Sequence, residues 1–95
     1  MTLMYTNESL TVASIVSVLR GSATPSVTFS IYYGSDRSGA GTEVVTSGIT
    51  TTNTTTGTNT TSFNNATIPA DNFIWLKTSD VSGLVEELSV TLRFS

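Results

Sequence analysis

From Ser26 to Tyr33 every second residue is apolar: Val27, Phe29, Ile31 and Tyr33 fall on one parity, and Ser26, Thr28, Ser30 and Tyr32 on the other. A period of two is the signature of a strand with one face buried. The pattern returns near the end of the chain, where Leu88, Val90, Leu92 and Phe94 alternate with Ser89, Thr91 and Arg93. No segment shows the competing helical period. Thr (19), Ser (14) and Asn (6) make up 39 of the 95 residues, and all three favour non-helical backbone. Strand signals recur at the spacing of all-β domains, about every 8–12 residues. The expected fold is therefore an antiparallel β-sandwich of jelly-roll or immunoglobulin-like type, with seven or eight short strands in one domain.

Turn residues set the expected boundaries. Leu10–Leu19 reads as a strand with Leu10, Val12, Val16 and Val18 on one side, and Arg20–Pro25 as a turn, with Gly21 and Pro25 as breakers. Gly34–Gly41 is a glycine-rich loop, and Thr42–Thr46 a short strand. Phe73–Thr78 is apolar on both faces, with Phe73 and Trp75 one way and Ile74 and Leu76 the other. A doubly covered or interface strand has that character. Ser79–Gly83 then turns the chain, and Leu84–Phe94 returns as the second strand of a hairpin. Val27, Phe29, Ile31, Trp75, Leu88, Val90 and Leu92 are the expected core. The Thr-rich stretch 49–61 reads as an extended hairpin bending near Gly57, or else as a loop. Its β-branched residues stiffen the backbone, and threonine ladders pair well across strands. With little core of its own, such a hairpin gains most by lying against a neighbouring subunit.

Composition excludes several chemistries. There is no Cys and no His, so disulfides, thiolate and imidazole metal sites, and histidine or thiol catalysis are out of reach. Four Lys and Arg against seven Asp and Glu give a net charge of −3, which opposes binding to nucleic acid. Asp36, Glu43, Asp71, Asp80, Glu86 and Glu87 are scattered, with no pair spaced for glycoside hydrolysis. Gly34–Gly41 lacks the Lys and following helix of a phosphate loop. Lys77, the single lysine, has no Ser-x-x-Lys context. Four Asn-x-Ser/Thr sequons (at Asn7, Asn53, Asn59 and Asn65) are close to the about two that chance would place in so hydroxyl-rich a chain. No enzyme, no cofactor and no metal are expected. The segment Met1–Thr11 has neither the basic start nor the apolar run of a signal peptide, and no apolar run approaches a membrane span. A soluble product made in the cytoplasm, with no membrane partner, is expected.

The runs Ser26-Val-Thr-Phe-Ser-Ile-Tyr-Tyr-Gly-Ser-Asp-Arg-Ser, Gly41-Thr-Glu-Val-Val, Thr55-Thr-Gly-Thr, Ser62-Phe-Asn-Asn-Ala-Thr-Ile-Pro-Ala-Asp-Asn-Phe-Ile-Trp-Leu-Lys-Thr and Gly83-Leu-Val-Glu-Glu-Leu-Ser-Val-Thr-Leu-Arg-Phe together resemble a small β module of tailed-phage virion proteins. The resemblance covers nearly the whole chain and lies in the pattern of strands and turns. It implies a virion accessory protein. A chain that is the module and little else resembles a capsid cement (decoration) protein, which bridges capsomers on the outside of a shell. The implied partners are the major capsid protein and further copies of the chain, with a homotrimer suited to three-fold shell positions. A tail- or fibre-associated module that binds host glycan is the alternative. The candidate contact residues are Leu3, Met4 and Tyr5 on a free N-terminal arm (residues 1–5), Tyr32 on the polar side of its strand, and Thr54 and Thr55 in the Thr-rich stretch. A free arm frays unless a partner pins it, so its removal should spare the fold.

Overall fold

The computed structural model describes Met1–Ser95 as an all-β chain with no helix. Seven strands form one antiparallel sheet: β1 (Thr2–Thr6), β2 (Leu10–Gly34), β3 (Thr42–Glu43), β4 (Ile49–Thr51), β5 (Thr58–Thr60), β6 (Thr67–Ile68) and β7 (Asn72–Phe94). Two of them dominate. β2 and β7 pair along almost their full lengths, from Val12 opposite Phe94 to Gly34 opposite Phe73. β1 borders the start of β7, and β3, β4, β5 and β6 all pair with the other edge of β2.

The two expected turns are not chain reversals. Arg20–Pro25 lies inside β2 and Ser79–Gly83 inside β7, so the expected terminal hairpin is replaced by one continuous strand. The two stretches face each other. Ser22 pairs with Leu84 and Ser26 with Ser82, which leaves Ala23, Thr24 and Pro25 opposite Gly83 alone. Three residues against one must bend a ribbon, as any bulge does. Ala23 and Thr24 take φ of 58° and 52°, and Gly83 takes 71°. A Cβ on Gly83 would stand 2.6 Å from the carbonyl oxygens of both Ala23 and Thr24. The breakers were therefore real, but they bend two paired strands at one shared corner.

The bend folds β2 into a first arm before the corner and a second arm after it. The Thr-rich stretch ties the arms together. β4 pairs with Val27–Phe29 on the second arm and β5 with Ile15–Ser17 on the first, so β4 and β5 do not form the expected hairpin with each other. The buried Thr51 joins them: its hydroxyl donates to the Ser17 carbonyl at 3.3 Å and shares a 3.1 Å hydrogen bond with the Thr58 hydroxyl. The Ser17 hydroxyl is itself buried without a partner.

The main core lies inside the curl. Val12 and Ile15 of the first arm meet Phe29 and Ile31 of the second, with Ile74 and Leu76 of β7. Val44, Ile49 and Ile68, from the segments between the long strands, fill the remaining space. Leu88, Val90 and Leu92 face this core but stay half-buried. The expected side for Val16 and Val18 was wrong. A bulge at Ala13 shifts the register between Val12 and Ser14 and reverses the parity. Ile15, Ser17 and Leu19 turn inward and are fully buried, while Val16 and Val18 lie half-buried on the outer face beneath Gly57.

Gly83→Ala should cost about 1–3 kcal/mol of unfolding free energy, through strained φ and the close carbonyls. Ser82→Ala, beside it and exposed, should stay within about 0.5 kcal/mol. Urea denaturation of both variants checks this; equal midpoints would mean that the corner does not depend on glycine.

Candidate contact surface

Antiparallel pairing places Trp75 and Tyr32 opposite each other on the outer face, away from the core. Thr2 of β1 extends the row on one side and Glu43 of β3 on the other, so four strands contribute one residue each. The Tyr32 and Trp75 rings stack, with centroids 5.9 Å apart and planes 9° apart. The Arg37 guanidinium lies 4.3 Å from the Trp75 ring centroid, and its Nε–H donates to the Thr2 hydroxyl at 3.1 Å. Lys77 places its ammonium 5.7 Å from the Tyr32 ring centroid. A cation over an aromatic face is held by the ring quadrupole, so two cations bracket the stack.

Trp75 is only 1% exposed, although it sits on the outer face. It was expected to plug the sandwich core; it is buried, but under the glycine-rich segment that follows β2. Gly41 packs against the ring edge with φ 74°, and a Cβ there would meet ring carbons at 2.5 and 2.6 Å. The glycines of this segment thus let backbone approach an indole. Its turn is held by Asp36. The Asp36 carboxylate accepts from the Ser38 hydroxyl at 2.6 Å and the Ser38 N–H at 2.9 Å, and the Asp36 carbonyl accepts from the Gly39 N–H at 3.0 Å. The Ser38 hydroxyl, then the Ser38 N–H, lower the Asp36 pKa below its ordinary value by favouring the ionised form.

The N-terminal arm is not free. Residues 2–6 form β1, and Met1 and Leu76 exchange backbone hydrogen bonds at 2.8 Å in both directions, with the terminal ammonium as one donor. β7 has backbone donors and acceptors along this edge, and they pin the terminus without a partner. Removing residues 1–5 would therefore strip an edge strand. Leu3 turns toward the core and is half-buried. Met4 and Tyr5 remain exposed, Tyr5 at 53%, with its ring edge-on to Phe73 at 4.9 Å. Tyr32 is half-buried beneath its neighbours. Thr54 and Thr55 are exposed but lie elsewhere, in a loop capped by the Asn53 side chain, which accepts from the N–H groups of Thr55, Thr56 and Gly57. The Asn53 carbonyl accepts from Leu19 of the first arm at 2.8 Å. Tyr5 and Tyr32 thus share the outer face of the β1–β7–β2 region, Met4 lies on its other face opposite Ile74, and the two threonines lie away from both. Arg37 and Lys77 were missed as part of this surface. Nothing in the sequence alone joins them to Tyr32 and Trp75, which face each other only because β2 and β7 pair in this register.

Asp36 has a lowered folded pKa, so its contribution to the turn is complete above the unfolded value and lost as pH falls through the folded one. Acidification well below the ordinary aspartate value of about 3.9 should then loosen the cover and shift Trp75 emission to the red, while far-ultraviolet circular dichroism stays native. Asp36→Ala should show the shifted emission at neutral pH. Emission unchanged in the variant would mean that the turn does not hold the cover.

No three acidic side chains cluster as a metal site would need. Compared with protein-family models, curated proteins and solved structures, the chain matches none.

Proposed function

We propose that the chain is an accessory structural protein of a tailed-phage particle, acting as a capsid cement that attaches to the major capsid protein on the outer surface of the shell. The observation that carries this reading is the edge at β1: Met1, Met4 and Tyr5 are exposed apolar side chains held on a pinned edge strand, Tyr5 on the outer face that also carries the Tyr32–Trp75 stack, and Met1 and Met4 on the other face, opposite Leu76 and Ile74. Rigid aromatic and methionine side chains suit a protein interface, because they add contact area with little ordering left to do. Hydroxyl groups around them supply hydrogen bonds without buried charge. The chain has 12% charged residues, so little desolvation opposes such contact.

A sandwich is the finer reading of the fold that fits this role. The two arms of the curled sheet share one core, and Val12 and Ile15 meet Phe29 and Ile31 across it. A body of this kind transmits load between capsomers without hinges. The glycan-binding alternative has less support. A sugar needs an open aromatic face, whereas Trp75 is covered and Tyr32 is half-buried and stacked on Trp75.

Purified chain mixed with expanded shells of its parent phage should co-sediment with them at a fixed copy number. The double variant Met4→Ser, Tyr5→Ser should bind about tenfold more weakly while keeping the native circular dichroism, with a somewhat lower melting temperature from the lost Tyr5–Phe73 contact. A chain that stays in the supernatant, or a double variant that binds as well as the native chain, would overturn the reading.

A further inference from the structure

β7 has a neighbour on each side only at its start. β1 covers Asn72–Trp75, and Met1 reaches Leu76. From Lys77 to the C-terminus β2 is the sole neighbour, and the opposite edge carries unpaired backbone groups. An open edge is a template for another strand, and proteins guard such edges with lysine, bulges and sharp bends. The first part of this edge is guarded in that way. Lys77 begins it, the register shifts across Ser79 and again across Glu86, and Gly83 sits at the corner. Glu87–Phe94 lacks the lysine, proline, glycine and bulges that guard the first part: it pairs with β2 residue for residue except opposite the Ala13 bulge, and its only charges are Glu87 and Arg93 at its two ends.

Two hydrogen bonds fix which groups point outward. Ser95 N–H donates to the Thr11 carbonyl at 3.0 Å, so the odd-numbered residues at this end aim toward β2. Leu19, opposite Leu88, sends its N–H to Asn53 and not to β7, which makes Leu19 and Leu88 a non-hydrogen-bonded pair. Leu88, Val90 and Leu92 therefore present N–H and C=O to the open edge. Their side chains face the core and stay half-buried, where one more strand would cover them.

We propose that this edge pairs with the same edge of a second copy, antiparallel about a two-fold axis at Val90. Charge selects the occupant and the register. Centred on Val90, Val90 meets Val90, Leu88 meets Leu92, and Ser89 meets Thr91. Glu87 of each copy then stands opposite Arg93 of the other, twice over. All of these opposed pairs share a face, as antiparallel strands require. Moving the centre one residue toward the N-terminus sets Glu87 against Thr91 and Arg93 against Val85. Moving it one residue the other way sets Arg93 against Ser89 and Glu87 against Ser95. Only the Val90 register opposes the two charges. Both are exposed and neither is in an ion pair: the chain's one ion pair is Arg20 with Glu86, 3.5 Å apart, while Glu87, opposite Arg20 across the β2–β7 ladder, accepts a hydrogen bond from the Ser89 hydroxyl. This is an isologous contact. It replaces the three-fold association expected from shell geometry with a two-fold one, and it stands independently of attachment to a shell.

Sedimentation equilibrium of the native chain should give twice the chain mass of 10.0 kDa, with a concentration-dependent monomer. Arg93→Glu places like charges opposite each other at two symmetric positions and should weaken the dimer about tenfold or more. Glu87→Arg weakens it similarly, and Glu87→Arg with Arg93→Glu restores it. That restoration separates pairing from general damage to β7. Circular dichroism and melting of each variant confirm that it folds. A native monomer, a native trimer, or a dimer indifferent to both single variants would overturn the proposal.

Discussion

One constraint underlies this architecture: two long strands must stay hydrogen-bonded to each other while turning a corner. Every other strand pairs with β2 or β7, so the whole sheet inherits their geometry. The corner is made by unequal chain length, Ala23–Pro25 against Gly83, and that inequality is what brings the arms face to face. Without it a two-stranded ribbon would expose both faces, and such ribbons are marginal in water. The core follows from the bend. Val12 and Ile15 come from one side of the corner and Phe29 and Ile31 from the other, and they meet only because the ribbon curls. The ladder is also highly non-local, since Val12 pairs with Phe94. Folding must close most of the chain before this ladder forms, which places the chain among slow-folding topologies.

A chain so rich in Ser, Thr and Asn has few large apolar side chains to bury. It compensates by letting side chains take the place of missing backbone partners. Asn53 caps a loop through three N–H groups, and Asn64 accepts from the Thr46 N–H at 3.0 Å while its own N–H donates to Val44 at 2.9 Å. Thr51 bridges the arms. Connections that would otherwise be loose are held close against the sheet, and they carry Val44, Ile49 and Ile68 into the core. The weakness of the strategy shows at Ser17, a buried hydroxyl left unpaired at some cost to stability.

Local alternation was the most legible part of the chain. Val27, Phe29 and Ile31 are buried as their spacing requires, and Trp75 does point opposite to Ile74 and Leu76. The meaning of the breakers was not legible. Gly21, Pro25 and Gly83 mark real departures from flat strand, but whether such a residue reverses a chain or bends a paired ribbon depends on what lies opposite. The partner here is some sixty residues away. The same holds for Val16 and Val18, whose facing was inverted by the single extra residue at Ala13. It holds too for Trp75, whose burial under the glycine-rich segment is a matter of tertiary cover that parity cannot report. Of the candidate contact residues on the arm, Met4 and Tyr5 are exposed, while Leu3 is drawn inward because the arm found a sheet edge within its own chain.

The two surfaces of β7 are placed so that they need not compete. Tyr5 and Trp75 flank its first residues on the outer face, where β1 already occupies the edge. Glu87–Phe94 lies beyond the corner, where the edge is open. A strand of this length can serve both because the corner divides it into two regions with different neighbours. Composition sharpens the contrast. Lysine is the usual guard of an edge, and this chain spends its only one at Lys77, where the open edge begins and where the ammonium also covers Tyr32. No further lysine follows in the rest of β7, whose last segment carries only Glu87 and Arg93 as charges. A regular, apolar-faced strand in a small soluble domain invites indiscriminate association unless a defined partner covers it. The opposed Glu87 and Arg93 make that partner a second copy in one register, which turns a general hazard into a specific contact.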